Sequence, residues 1–207
     1  MSVASDTFIA GNLTPADWQA RKQALASGTT TWQATFQDFF VQRLELRYLD
    51  PIAVLQSNGT FRGEGFSILA IQCSLIEFLE STAQGINYKW ARRSQDLGAY
   101  EYCKSGELFV SFLSKRPPFS ATFDAGSAHD FYTNVRCGLL HEASTKGGWK
   151  VWAKGPAGSV ADVANRIVYR DNFQIALAEY IDSYGREIEA THALQEAFIR
   201  KFDRLAT

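Results

Sequence analysis

The sequence is poor in the features that mark disulfide-rich or metal-binding proteins. It has three cysteines and three histidines in 207 residues. Cys73, Cys103 and Cys137 lie at least thirty residues apart. An odd, scattered set is typical of neither a disulfide framework nor a zinc knuckle, and it favours a reducing compartment. We therefore expect a cytoplasmic protein.

Membrane features are also scarce. The N-terminal segment has no basic region and no long apolar stretch, so it does not resemble a secretory signal. Apolar runs such as residues 68–71 are much shorter than the roughly 20 residues that span a bilayer. We expect no membrane partner.

The chain lacks an excess of charge of either sign. It carries 21 basic and 22 acidic side chains, a net charge of −1, which argues against a polybasic nucleic-acid binder and against DNA as a partner. The charges are unevenly distributed, however. Residues 89–154 contain ten basic and six acidic side chains, whereas the segments on either side are net acidic. An anionic ligand is therefore expected in the middle third.

What the chain does contain is a globular composition with helical patterning. It is 46% hydrophobic and 14% aromatic. Thr14 and Pro15 form a helix start, and Asp50-Pro51 should break or kink a later helix. The apolar segment 66–84 has the pattern of a central buried helix. The predicted helices span about 15–26, 31–49, 66–84 and 128–143, with two more between 172 and 205.

Strand patterning is confined to one short region. Residues 149–152 alternate like a strand, and residues 166–169 could pair with them. We therefore predict a mainly all-α fold with a small β-hairpin. Residues 1–60 are predicted to form an N-terminal helical extension, and residues 61–207 the main helical domain.

Basic and aromatic side chains interleave between residues 86 and 126. Lys89, Arg92 and Arg93 lie here among Trp90 and several tyrosines. This composition suits RNA backbones and stacked bases. It is equally typical of a solvated loop whose long side chains cover apolar surface.

Residues 130–143 hold the densest group of chemically capable side chains. On a helical wheel Arg136 falls within the apolar arc, so it needs either an anionic ligand or a carboxylate. Glu77, which lies on the buried helix 66–84, could supply that carboxylate, although a solvated position at the helix edge would also accommodate it. Arg136 and His141 are about 140° apart on a straight helix, so they share a site only if the helix ends or distorts, or if a second chain contributes.

Other chemistries have weaker support. Cys137 and His141 are spaced i, i+4 and could form a nucleophilic pair, but no oxyanion-hole signature accompanies them. His129, His141, Cys137 and Glu142 lack the paired spacing of a metal site. Without a phosphate-binding loop or a GxGxxG sequence, we expect no metal and no cofactor.

The Arg136-x4-His141 spacing on a helix resembles the Arg-x(4–6)-His motif of the HEPN superfamily. The surrounding sequence FYTNVRCGLLHEASTKGGWKVW is similar to the core of HEPN-type proteins, and Glu77 resembles the acidic residue of their first core helix. The resemblance covers about residues 64–205. It implies an antiparallel helical bundle that forms a homodimer, with the two motif helices lining one groove.

The resemblance also implies an activity. Active HEPN proteins are metal-independent endoribonucleases, and many act as toxins or in antiviral defence, with an antitoxin or other protein as partner. By analogy, His141 would be the general acid/base for attack of the ribose 2′-OH, and Arg136 would stabilise the phosphate. Predicted RNA contacts are Lys89, Arg92, Arg93 and Lys146.

One position departs from the family pattern. Active members often carry Asn, Asp or His directly after the arginine, where this chain has Cys137. Asn134 or Glu142 would then have to supply the orienting group. The alternative function is a non-catalytic HEPN-like module that dimerises and binds RNA or a protein.

Overall fold

Helices form most of the computed structural model, which describes residues 8–60, 62–93 and 96–207. Helix α1 (Pro15–Ala26) begins where the sequence predicts, because Thr14 and Asp17 form a reciprocal capping box at its N-terminus. It ends before Ser27.

The next helical run does not break at proline. It contains α2 (Trp32–Thr35), α3 (Gln42–Leu44) and α4 (Asp50–Ser57), joined by π-helical segments at Phe36–Val41 and Glu45–Leu49. The wide π turn just before Asp50-Pro51 distorts the helix instead of ending it. The proline then sits in the first turn of α4, where its missing N–H is tolerated.

Helix α5 (Glu64–Gln84) is the central helix that the apolar pattern predicts. Its length and composition are those of a membrane-spanning helix, contrary to the impression given by its short apolar runs. However, 61% of its most apolar window is buried inside the protein, as in the core helix of a soluble protein.

The second half of the chain packs around α5. Helix α6 contacts it most extensively, and the C-terminal helix packs along it as well. A 3₁₀ turn over Phe119–Ala121 and a π-helical segment over Tyr132–Arg136 interrupt the regular helices. The remaining helices are α6 (Ser105–Lys115), α7 (Ala125–Phe131), α8 (Cys137–Glu142), α9 (Arg170–Ala190) and α10 (His192–Leu205).

The strands differ from the prediction. The predicted pairing is confirmed, since β3 (Lys150–Trp152) pairs with β5 (Ile167–Tyr169), but the predicted hairpin is wrong because the two strands run parallel. Strand β4 (Ala161–Asp162) lies between them in sequence and pairs antiparallel with β5. The connection is long enough to bring β5 back in the same direction as β3. A second, parallel pair joins β1 (Asn87–Tyr88) to β2 (Glu101–Tyr102).

The core is one aromatic-rich cluster that draws on both ends of the chain. Trp18 of α1 packs against Phe39, and also against Phe198 and Phe202 of α10. The Trp18 indole N–H donates a hydrogen bond of 2.8 Å to Asp203. Residues 8–60 therefore contribute buried aromatic side chains to the same core as the rest of the described chain, while a domain boundary at residue 60 stays a prediction.

Candidate functional site

The motif lies on one helical run that changes pitch in its middle. The run begins in α7, where Asp124 caps the first turn. The Cys137 N–H bonds to the Tyr132 carbonyl in the i, i+5 pattern of a π-helix, and α8 then carries the run to Glu142. Ala143 adopts a left-handed conformation (φ 52°) and ends the helix. The helix thus both distorts at Arg136 and ends just beyond His141.

Arg136 is half-buried between two helices, with 18% of its side chain exposed. One guanidinium nitrogen, Nη2, lies 3.7 Å from Glu77 Oε2, so the predicted pairing is present but longer than a hydrogen bond. The guanidinium carbon also lies 5.5 Å from the centre of the Tyr132 ring. Among the described residues Arg136 donates no hydrogen bond, and none of its nitrogens is fully buried. Its donors therefore remain accessible to a ligand.

Glu77 is fixed from the opposite side by a tyrosine. The Tyr102 hydroxyl donates a 2.9 Å hydrogen bond to Glu77 Oε1. Burial, reinforced by the Glu77 charge, raises the pKa of Tyr102 above its usual value, so the tyrosine stays a donor. The carboxylate therefore has a hydrogen bond on one oxygen and a loosely held arginine near the other.

His141 is exposed in the last turn of α8. Within the described part of the chain, no hydrogen bond or ion pair joins it to Arg136 or to Cys137. Leu140 beside it is also exposed. A single chain therefore places the two motif side chains on one helical run without a hydrogen bond or ion pair between them among the described residues.

Asn134 has a structural role within the motif helix. Its side-chain amide donates to Asp130 Oδ1 at 2.8 Å, and its backbone carbonyl accepts from the Lys146 N–H at 2.7 Å. Asp130 also accepts from the Trp149 indole at 2.8 Å. These bonds fasten the turn that follows α8 back onto the helix, so the Asn134 side chain is already engaged.

The other two supporting residues occupy different surroundings. Cys137 is half-buried, and the neighbouring Cys73 is fully buried in α5. Burial raises the pKa of Cys73 to about 12, which keeps it a neutral thiol. Glu142 forms an i, i+4 ion pair with Lys146. Hence Lys146, a predicted RNA contact, has an acidic neighbour.

The three other predicted RNA contacts lie between β1 and β2. Lys89 pairs with Glu101 at 2.7 Å, and Arg93 lies 3.9 Å from Asp96. Arg92 is exposed. This segment lies beside Glu77, because the Tyr88 ring contacts Tyr102 with centroids 5.7 Å apart.

Lys201 is a buried cation near the site that the sequence analysis missed. Its ammonium donates to Ser81 Oγ at 2.8 Å and to the Ile86 carbonyl at 3.1 Å. Burial lowers the pKa of Lys201 to about 8, although Glu77 opposes the shift. The spacing of Leu194, Phe198 and residue 201 on α10 was the available signal, because it places the lysine on the apolar stripe.

A cleft of about 740 Å³ lies between α6 and α7. Tyr132 lines it together with Lys104, Lys115 and His129. The Ser105 hydroxyl and the Tyr132 hydroxyl are 3.1 Å apart across the contact of the two helices. The cleft therefore adjoins the motif helix one turn before Arg136.

Comparisons with known proteins leave the site to be judged from its own geometry. No protein-family model, curated protein or solved structure matches this chain.

Proposed function

We propose that the protein is a metal-independent endoribonuclease of the HEPN type, acting in a reducing compartment such as the cytoplasm. The observation that carries the proposal is the state of Arg136. Its guanidinium is positioned by Glu77 and Tyr132 but donates no hydrogen bond within the described chain. A half-buried arginine with free donors suits a phosphate, which it can bind through two parallel hydrogen bonds.

His141 supplies the complementary chemistry in this proposal. Its exposed imidazole can act as a general base and accept the proton of a ribose 2′-OH. The 2′-oxygen then attacks the adjacent phosphorus, the bond from phosphorus to the 5′-oxygen breaks, and that oxygen takes up a proton. The products are a 2′,3′-cyclic phosphate and a 5′-hydroxyl. Arg136 stabilises the charge that develops on the phosphate oxygens.

A homodimer would explain why the two side chains do not meet within one chain. Two antiparallel motif helices would place Arg136 of one protomer near His141 of its partner. Leu140, next to His141, is a half-exposed apolar side chain that such an interface would cover. The groove would then be a composite of two chains.

The catalytic proposal is tested by RNA cleavage in the presence of EDTA. Wild-type protein should cleave RNA and leave cyclic-phosphate ends. His141→Ala should lower the rate by about 10²- to 10⁴-fold, and Arg136→Ala by about 10²- to 10³-fold. Matched controls are His192→Ala and Arg186→Ala, since both residues are exposed on helices away from the motif. Intact RNA with wild-type protein would favour the non-catalytic binding module, and normal cleavage by both motif variants would reject Arg136 and His141 as the catalytic pair.

The dimer is tested with Leu140→Glu, because a carboxylate in an apolar interface is costly to bury. Light scattering should show a wild-type dimer and a largely monomeric variant with reduced cleavage. Ile175→Glu, which alters an equally exposed apolar side chain on α9, is the control and should stay dimeric. A monomeric wild-type protein would contradict the composite groove.

A further inference from the structure

The short parallel pair of β1 and β2 presents aromatic side chains on one face. Tyr88 is in register with Tyr102, and the Lys89 N–H bonds to the Tyr102 carbonyl, so the chain stays extended beyond β1. Side chains two residues apart point the same way in an extended strand. We call the aromatic face the contacting rings of Tyr88 and Tyr102 together with Trp90 and Tyr100, which lie two residues from them along the chain, while Lys89 pairs with Glu101.

The rings of this aromatic face are exposed to solvent, whereas the aromatic rings of the core are buried. Trp90 is 70% exposed and Tyr88 is 54% exposed, with Tyr100 similar. The buried aromatic rings of the protein lie in the central cluster instead. Three exposed rings close together along the paired segments indicate a binding surface, because exposed apolar side chains that cluster are less common than single ones.

The charges around the aromatic face favour an anionic partner. The Arg200 guanidinium lies 4.4 Å from the centre of the Tyr100 ring, and Arg92 is exposed two residues after Trp90. Aromatic rings interleaved with guanidinium groups are the features on which unpaired bases stack while the backbone phosphates find cations. A protein partner would need the rings but not the cations.

The aromatic face is also continuous with the candidate site. Tyr102 occupies both, since its ring contacts Tyr88 and its hydroxyl donates to Glu77. Glu77 in turn positions Arg136. A strand whose phosphate lies at Arg136 therefore has the aromatic face beside it.

We propose that this aromatic face is a stacking platform for unpaired bases of single-stranded RNA, with Trp90 as its main contact. The inference rests on the proposed function, because it identifies how the substrate flanking the Arg136 site is held. It predicts that the protein selects RNA with unpaired bases next to the bound phosphate. Bases inside a duplex stack on each other and present no free face to Trp90.

The test measures the affinity of a fluorescein-labelled single-stranded RNA for the full-length His141→Ala protein by anisotropy. Adding Trp90→Ala should weaken binding about 10-fold, since one base stack is worth about 1–3 kcal/mol. Trp90→Phe should retain most of the affinity. Trp152→Ala, which removes another half-exposed tryptophan from β3, should change the affinity less than twofold. Affinity for a duplex of the same sequence should not depend on Trp90.

The platform would be overturned by equal single-strand affinity for the Trp90→Ala and Trp152→Ala proteins, or by an equal loss for duplex and single strand. The second result would mean that Trp90 acts otherwise than by stacking. Cleavage by the wild-type protein is scored separately. If Trp90→Ala weakens binding but the wild-type protein does not cleave RNA, the platform is supported and the nuclease is rejected. If the wild-type protein cleaves RNA but Trp90→Ala does not weaken binding, the nuclease is supported and the platform is rejected. Absence of RNA binding by the His141→Ala protein would reject the platform.

Discussion

Helix α5 carries two carboxylates one turn apart, and each faces an arginine from the second half of the chain. Glu80 is buried, with 1% of its side chain exposed, and accepts from Arg116 Nε at 2.8 Å. It also accepts from Ser111 at 2.9 Å and from Gln84 at 2.6 Å. Glu77 is 24% exposed, and its arginine, Arg136, stays at 3.7 Å.

The difference between the two pairs separates a structural arginine from an available one. Although 33% of the Arg116 side chain is exposed, two of its nitrogens donate hydrogen bonds to Glu80, so these donors are already engaged. Arg136 makes an electrostatic contact with Glu77 without a hydrogen bond. A guanidinium gives up no hydrogen bond when it moves from such a contact to a phosphate. Of the two pairs, Glu77–Arg136 is therefore the one whose arginine can bind a ligand.

The largest expected effect is the loss of stability when the buried carboxylate of Glu80 is removed. Glu80→Ala leaves the Arg116 guanidinium and the Ser111 hydroxyl without their acceptor beside the core. We expect the free energy of unfolding to fall by about 3 kcal/mol, as for other broken buried pairs. Glu77→Ala should cost about 1 kcal/mol, because its site is partly solvated and it loses one hydrogen bond to a charged group.

Urea denaturation of the two variants beside wild type measures this contrast. Equal losses for Glu80→Ala and Glu77→Ala would mean that the two pairs are equally structural. That result would remove the physical distinction on which the availability of Arg136 depends.

The sequence predicts the Glu77–Arg136 pair better than the Glu80–Arg116 pair. Arg136 is recognisable in the sequence because a helical wheel places it on an apolar arc. Glu77 is recognisable because it is a carboxylate among the apolar side chains of the most apolar helix. Glu80 and Arg116 give no such signal, since Arg116 follows α6 and precedes two prolines in a segment without clear periodicity. Their pairing depends on how α6 packs against α5, which is a tertiary event.

The β segments show the same limit. Short runs such as residues 87–88 and 101–102 are too brief for a period-2 pattern, so the β1–β2 pair and its aromatic face were not predictable. The interleaving of aromatic and basic residues was visible, but its arrangement on one face required the register. In contrast, α1 and α5 were predictable because caps and apolar content act locally.

A smaller effect tests the electrostatic surroundings of the two carboxylates. The Lys201 ammonium donates a hydrogen bond to Ser81, the residue after Glu80. The negative charge of Glu77 favours the protonated form of Lys201. Its pKa is lowered from 10.5 to about 8, mainly by burial. Between these values the unfolded chain binds more protons than the folded protein, so the free energy of unfolding contributed by Lys201 rises with pH.

Other titrating groups limit the pH range over which the free energy of unfolding rises. The pKa of Cys73 is raised from 9.0 to about 12, so above pH 9 the unfolded chain loses a proton that the folded protein keeps, and stability falls. Burial also raises the pKa of Tyr102, Tyr180 and Tyr184, which adds to the fall above pH 10. The contribution of Lys201 should therefore be clearest between pH 8 and 9.

The measurement is the free energy of unfolding at pH 8 and pH 9 for wild type and for Lys201→Met. Wild type should gain about 1 kcal/mol relative to the variant over this step, because the folded protein binds about half a proton fewer than the unfolded chain at pH 8 and close to one fewer at pH 9. Lys150→Met, which replaces an exposed lysine on β3, should follow wild type. A Lys201→Met protein with the wild-type slope would show that the ammonium is solvated.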